Sequence, residues 1–160
     1  SMQTGTIAVE PDQAGNHQCG TNPQNQNKQD TQTLLELAKA QGWGTGVVTT
    51  TRITHATPAS TYAHICHRDA ENDIASQLVP SSQGDTYQRY NVKLKDGVDV
   101  ILGGGKRQFL PKDQGGERID QRNLIAEMQQ AGYRVVYDQT QLSQMKLGKN
   151  EKLLGLFRVC

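Results

Sequence analysis

Apolar residues in this chain come in short runs separated by polar stretches, and the spacing within each run predicts an element. Leu34, Leu35, Leu37 and Ala38 recur at helical spacing behind Asp30 and Thr31, either of which suits an N-cap, and Gly42 stops the run. Residues 45–51 are rich in β-branched side chains and follow glycines, which predicts a buried strand. Pro58 fits the first turn of a helix reaching His67, with Thr57 as its N-cap. Ile74, Ala75 and Leu78 predict a further helix from Asp69 or Glu71 to Val79, followed by a loop from Pro80 to Gln88. Val98–Leu102 reads as a second strand closed by Gly103-Gly104-Gly105, and Gln114-Gly115-Gly116 as a turn. Leu124, Ile125 and Met128 share one face of a helix from Arg122 to Ala131; Gly132 ends it, and Tyr133–Tyr137 is a third strand. Asp138 caps a short helix around Gln141–Met145, and Leu153–Phe157 reads as an edge strand. Helices alternating with strands in this order predict an α/β fold, with a mostly parallel sheet of about three to five strands and helices on its faces.

Composition adds bounds. The 160 residues suit one domain, here a single partial one, with a loop-rich start over 1–30 and an α/β segment over 31–160. The start holds at most a short strand at Thr6–Val9, because Pro11 to Asp30 is dominated by Gln, Asn and Gly. A hydrophobic fraction of 34% with 5% aromatics implies a small, mostly aliphatic core. Mean hydropathy of −0.68 fits either a large polar surface or a piece whose loops pack against a longer protein. Net charge is +1 with both signs interspersed, so the basic stripe of a nucleic-acid binder is absent. No apolar run is long enough to span a bilayer, and no secretory signal opens the chain. The 3 cysteines match no zinc spacing. Cys19 and Cys66 fit a disulfide in an oxidising compartment and two free thiols equally well, and no role is expected for Cys160.

Candidate chemistry concentrates after the first strand, in Thr54-His55-Ala56-Thr57. In α/β sheets ligand sites lie beyond the carboxyl ends of strands. A threonine hydroxyl is a hard oxygen that suits Mg²⁺, but Thr57 taken alone reads first as an N-cap and His55 as a loop residue. Arg68 could grip two phosphate oxygens, or merely sit at a helix C-terminus favoured by the macrodipole. His64 and His67 could share a helix face but lack a third ligand at convincing spacing, so two partly exposed histidines is the better expectation. Gly103–Lys106 is no Walker A loop, since position 100 is Val and position 107 is Arg, and no Gly-x-Ser-x-Gly elbow occurs. A dinucleotide loop fails as well, at Gln108.

Four ordered stretches resemble the alkaline phosphatases: Gly46–Arg68, Asp73–Leu78, Gly97–Gly105 with Lys106-Arg107, Phe109 and Pro111, and Leu154-Gly-Leu-Phe157. The resemblance covers nearly the whole chain and implies part of that family's three-layer α/β sandwich. It implies that Thr57 supplies a hydroxyl to Mg²⁺, that His55 stands beside that ion and contacts it through water, and that Arg68 holds two oxygens of a phosphate monoester or inorganic phosphate. Cys19 lies near a half-cystine position of animal members. Of the rest of the site, the resemblance puts the serine nucleophile and one metal-bridging aspartate ahead of residue 1, and the zinc ligands after residue 160. It thereby implies a segment of a periplasmic or extracellular Zn- and Mg-dependent enzyme, usually a homodimer, and an isolated chain without turnover. The alternatives are a non-catalytic anion-binding module, or a structural subdomain whose open sheet edges need partner chains.

Overall fold

The computed structural model describes residues 32–65, 68–80, 91–148 and 151–157. The expected strand at Thr6–Val9, the loop over 81–88, Cys19, Cys66, His67 and Cys160 lie outside the described residues. Four parallel strands form one sheet: β1 (Gly46–Arg52), β2 (Val100–Gly104), β3 (Tyr133–Val136) and β4 (Lys152–Leu156), in the spatial order β1-β2-β4-β3. Five short helices accompany them: α1 (Leu34–Ala40), α2 (Ala56–Ala59), α3 (Glu71–Ser76), α4 (Leu124–Gln130) and α5 (Gln139–Gln144). Three 3₁₀ turns, Val92–Leu94, Lys106–Phe109 and Lys112–Gln114, complete the order.

The last apolar run is a central strand rather than an edge. β4 inserts between β2 and β3, pairing Leu154 with Ile101 on one side and with Val135 on the other. Leu153, Leu154 and Leu156 are buried, as a near-continuous apolar run requires when both faces of a strand are covered. The first strand departs the other way. β1 was expected to be buried, but it is an edge paired only with β2, and Val47 is its one buried residue. The triple glycine is explained by packing. A Cβ on Gly103 would meet the Thr49 methyl at 2.8 Å, and Gly105 turns the chain out of the sheet at φ +91°. The core of Ile53, Tyr62, Ile74, Leu78, Ile101, Phe109, Leu124, Met128, Leu154 and Leu156 lies under the helices.

α1 is docked by its polar stripe. Its N-cap is Thr33, not Asp30 or Thr31: Thr33 accepts from the Glu36 amide, and Glu36 accepts from the Thr33 amide, a reciprocal capping box. Thr33, Glu36 and Lys39 are buried, while Leu34 is 70% and Leu37 45% exposed. The inversion is tolerated because each inward polar group is satisfied. Glu36 accepts from Asn91 Nδ2 and lies 2.6 Å from His64 Nε2, and Lys39 pairs with Asp96 at 2.9 Å and Asp99 at 3.2 Å. Leu34, Leu35 and Ala38 are left to wall a groove of about 530 Å³ whose floor is β1 and whose far side is Thr57, Pro58 and Thr61.

The amino end of the sheet is knitted by charge. Lys39 and Lys152 both reach Asp96, at 2.9 and 2.6 Å, and Asp99 accepts from the Thr45 amide at 2.7 Å. Burial raises the Asp96 carboxyl, but the Lys152 and Lys39 hydrogen bonds and charges outweigh it, leaving it at about 2 against an ordinary 3.8. Asp99 is lowered as well, burial being outweighed by Thr45 and Lys39. A carboxyl depressed on folding stabilises above its unfolded pKa and loses that contribution as pH falls through its folded one. Thermal melts followed by circular dichroism should therefore hold Tm down to about pH 4 and drop it steadily toward pH 2. In Asp96→Asn that decline should be shallower; an equal slope would remove Asp96 as a cause.

Candidate functional site

The carboxyl end of β1 turns sharply. Ile53 still donates its amide to Gly104, and the His55 amide then donates to the Arg52 carbonyl at 3.0 Å. His55, in extended backbone, is the N-cap of α2, and its carbonyl accepts from the Ala59 amide. This corrects the expected helix from Pro58 to His67 with Thr57 as its cap. α2 is four residues long and Thr57 lies inside it, exposed. Hydroxyls end the helix. Ser60 Oγ donates to the Thr57 carbonyl at 2.8 Å and Thr61 Oγ1 to the Pro58 carbonyl at 2.7 Å, taking acceptors that a longer helix would use. Buried Tyr62 then donates its hydroxyl to the Ile53 carbonyl at 2.8 Å, tying the exit of α2 to the strand it left.

His55 and Thr57 thus share one turn at the carboxyl end of β1. The His55 ring is half-buried, and its Nδ1 is buried with no hydrogen-bond partner among the described residues. An orphaned buried nitrogen two positions from an exposed hydroxyl is the donor chemistry of a partial cation site. Among the described residues no three His, Cys, Asp or Glu side chains gather around one point, so these two groups are part of a site at most.

Arg68 lies in the turn before α3, exposed, and among the described residues no carboxylate is in ion-pair range. Other cations near the carboxyl ends of β1 and β2 are engaged. Arg52 donates to Glu71 through Nε at 2.9 Å and Nη2 at 2.8 Å, Arg107 pairs with Glu117 at 3.2 Å, and Lys106 stacks over the Tyr137 ring at 4.2 Å. Glu71 also accepts from Thr54 Oγ1 at 2.5 Å. Burial raises the Glu71 carboxyl; hydrogen bonds from Arg52 and Thr54, with the Arg52 and Arg107 charges, overcome it and leave the group below the usual range. His64 differs from expectation. His64 is mostly buried beside the fully buried Glu36, and its backbone is held by Gln77 at 2.9 Å in both directions. It serves packing between α1 and the 62–65 turn. Burial raises the Glu36 carboxyl, and hydrogen bonds from Asn91, the Thr33 amide and His64 lower it further than that.

Sequence reasoning missed Arg52, Thr54 and Glu71. Their partnership spans 17 to 19 positions, and no periodicity within a helix or strand signals a contact of that separation.

The alkaline phosphatase family model matches residues 2–159. The chain belongs to the alkaline phosphatase family. Alkaline phosphatase 3 of Bacillus subtilis is 41% identical over 128 residues, which are 80% of this chain and 23% of that protein. The membrane-bound alkaline phosphatase of Bombyx mori is 35% identical over 153 residues, covering 79% of this chain and 26% of the relative. Among solved structures, the Thermus thermophilus alkaline phosphatase superposes with a TM-score of 0.59 at 35% identity, over 79% of this chain and 23% of that one. A histidine-to-glutamate variant of the alkaline phosphatase of the Antarctic bacterium TAB5, with Mg bound in its M3 site, matches at a TM-score of 0.52 and 25% identity, over 79% of this chain and 30% of that one. The alkaline phosphatase segment described here therefore spans about a quarter of the length of the curated relatives it matches. Among the described residues no helix is long and apolar enough to cross a membrane.

Proposed function

We infer that this chain is the part of a phosphate monoester hydrolase that carries the phosphate-holding arginine and a share of one magnesium site. Arg68 grips two oxygens of the monoester or of released phosphate, its planar fork matching their spacing. The Thr57 hydroxyl would hold Mg²⁺, and His55, whose Nδ1 has no partner among the described residues, would contact the ion through water. When bound, magnesium supplies positive charge beside the reacting phosphate, and zinc in the complete enzyme activates the nucleophile. The serine nucleophile and the zinc ligands come from parts of the complete enzyme other than these 160 residues. The complete enzyme acts in the periplasm or outside the cell, as a homodimer.

One observation carries the reading: at the end where α/β sheets bind ligands, a buried histidine nitrogen with no partner among the described residues comes two positions before an exposed threonine, and an exposed arginine, Arg68, follows in the turn before α3. The outward apolar stripe of α1 and the open edge of β1 support the incomplete status of the chain, since a finished domain covers such surface. The test is phosphomonoesterase activity at alkaline pH with Zn²⁺ and Mg²⁺, beside calorimetric titration with inorganic phosphate, for wild type and Arg68→Ala. Neither protein should turn over substrate, and Arg68→Ala should weaken phosphate binding at least about tenfold, the loss of one charge-assisted bidentate contact. Turnover by wild type would show that a nucleophile resides in this chain and overturn the assignment of roles. Equal phosphate affinity in the two proteins would remove Arg68 from the site.

A further inference from the structure

Two separate pieces of chain carry the groups assigned above. His55 and Thr57 follow β1, and Arg68 precedes α3. The stretch that links them in sequence holds only the end of the four-residue α2 and is tied to β1 by Tyr62 and to the far end of α3 by His64 and Gln77, so the start of α3 needs a tie of its own to the turn after β1. Glu71 makes that tie. It opens α3 yet caps nothing: the N-cap, Ala70, has no side-chain cap bond, and the Glu71 carboxylate turns away from its own helix. Its Oε1 accepts from Arg52 Nη2 at 2.8 Å, its Oε2 from Arg52 Nε at 2.9 Å, and its Oε2 again from Thr54 Oγ1 at 2.5 Å. Thr54 is fully buried and the Glu71 side chain is 13% exposed, so the contact is shielded on the Thr54 side, while the Arg52 side chain is 35% exposed. Three donors on one carboxylate, two of them from a guanidinium in fork geometry, make a directional joint rather than a loose ion pair.

We propose that Glu71 is the positioning residue of the phosphate site: through Arg52 and Thr54 it fastens the start of α3, and with it Arg68, to the turn bearing His55 and Thr57. The proposal rests on the reading of Arg68 as the phosphate-holding arginine. It also assigns Arg52 a role away from substrate. The Arg52 guanidinium is consumed by Glu71, whereas Arg68 is exposed and has no carboxylate partner among the described residues. Thr54 is fastened one position before His55, so loosening the joint moves the histidine as well as the arginine. α3 has a separate anchor at its far side, where Arg118 donates to the Asn72 carbonyl at 2.7 Å and to Ser76 Oγ at 3.0 Å. That anchor keeps the helix in the fold when the Glu71 joint is opened, and so makes the joint testable in a folded protein.

The test compares wild type, Arg52→Ala, Glu71→Ala, the double variant and Glu71→Gln by amide hydrogen exchange and by calorimetric titration with inorganic phosphate. Opening the joint should speed exchange about tenfold in peptides covering both 53–58 and 68–73, with β4 unchanged. Phosphate affinity should fall about tenfold in each single variant, and the double variant should be no worse than either, because the two side chains form one joint. Glu71→Gln, which keeps the shape and loses the charge, should fall between. A merely structural glutamate would lower Tm without changing the affinity of the folded protein, and its effect would add to that of Arg52→Ala. That result overturns the proposal, as does faster exchange in one segment but not the other. If wild type fails to bind phosphate, or Arg68→Ala binds as well as wild type, the Arg68 reading falls instead. The exchange measurement then still decides whether Glu71 couples the two segments.

Discussion

Arg118→Ala should lower the melting temperature by about 10–15 °C, the largest stability loss expected from any single substitution in this chain. Arg118 is fully buried, and every direction of its guanidinium is used. Nε donates to Asp120 Oδ1 at 2.9 Å, Nη2 pairs with Asp120 Oδ2 and donates to Ser76 Oγ at 3.0 Å, and Nη1 donates to the carbonyls of Asn72 at 2.7 Å and Gln108 at 3.1 Å. The side chain thereby joins α3, the Lys106–Phe109 turn and its own loop. Truncation leaves two carbonyls without their donor, a carboxylate without its counter-ion, and a void the size of the lost side chain. Breaking a buried charged network by removing one member is worth about 3–5 kcal/mol, a large share of a domain stability of about 5–15 kcal/mol. Asp120→Asn is the informative companion. Burial raises the Asp120 carboxyl, but Arg118 and the Arg122 amide bring it below the ordinary range, so the charge belongs to the folded state. That variant should lose less, because the amide still accepts one bond and Asp120 is partly exposed. Thermal melts of the three proteins at neutral pH check both statements. A drop below about 3 °C for Arg118→Ala would mean that water satisfies the site as well as the arginine does.

Sedimentation of the isolated chain should show concentration-dependent association that Val48→Lys abolishes. Val48 is 71%, Trp43 70% and Leu34 70% exposed, and they lie on or beside β1, which has one edge unpaired among the described residues. Such an edge offers amide and carbonyl groups to any second strand, and the apolar groove beside it favours burial. Covering three large apolar side chains favours association by several kcal/mol at roughly 25 cal/mol per Å². A lysine on the outer strand position is the device by which sheet proteins block such pairing, so Val48→Lys should raise the dissociation midpoint about 100-fold. Net charge of +1 gives the chain almost no electrostatic protection against self-contact. A monomer at all concentrations would mean that the groove is covered within this chain, and would weaken the reading of the segment as structurally incomplete.

The two results bear on how this protein can be read. Local pattern identified most elements. The β-branched run 45–51 is β1 to within a residue, Asp138 caps α5 as its position implies, and the turn at Gly115 is where the glycine pair placed it. Each depends on residues within a few positions of one another, so spacing and cap chemistry suffice. The failures share a cause. Leu34 and Leu37 carry the pattern of an inward face, yet α1 turns Glu36 and Lys39 inward, because Asn91, His64, Asp96 and Asp99 satisfy them from 28 to 60 positions away. The run Leu153–Phe157 has the length and composition of either an edge or a central strand, and only the insertion of β4 between β2 and β3 separates the two. α2 was extended to His67 because Pro58 begins a helix well, whereas Ser60 and Thr61, which end it, act through hydroxyl rotamers that no spacing rule records.

The sequence by itself determined the α/β class and the positions of the strands, and it supplied the proposed site residues, since Arg68, Thr57 and His55 come with their neighbours in an order that resembles one family. What only the tertiary structure decided is which polar groups are already engaged. Arg52 and Arg68 are the same residue type, and the sequence singles out only Arg68 as a phosphate ligand. Folding gives the first to Glu71 and leaves the second exposed, because a carboxylate arriving from α3 lies within hydrogen-bond reach of β1. A contact between segments 17 to 19 positions apart is fixed by the path of the chain through space, and that path leaves no mark in local periodicity.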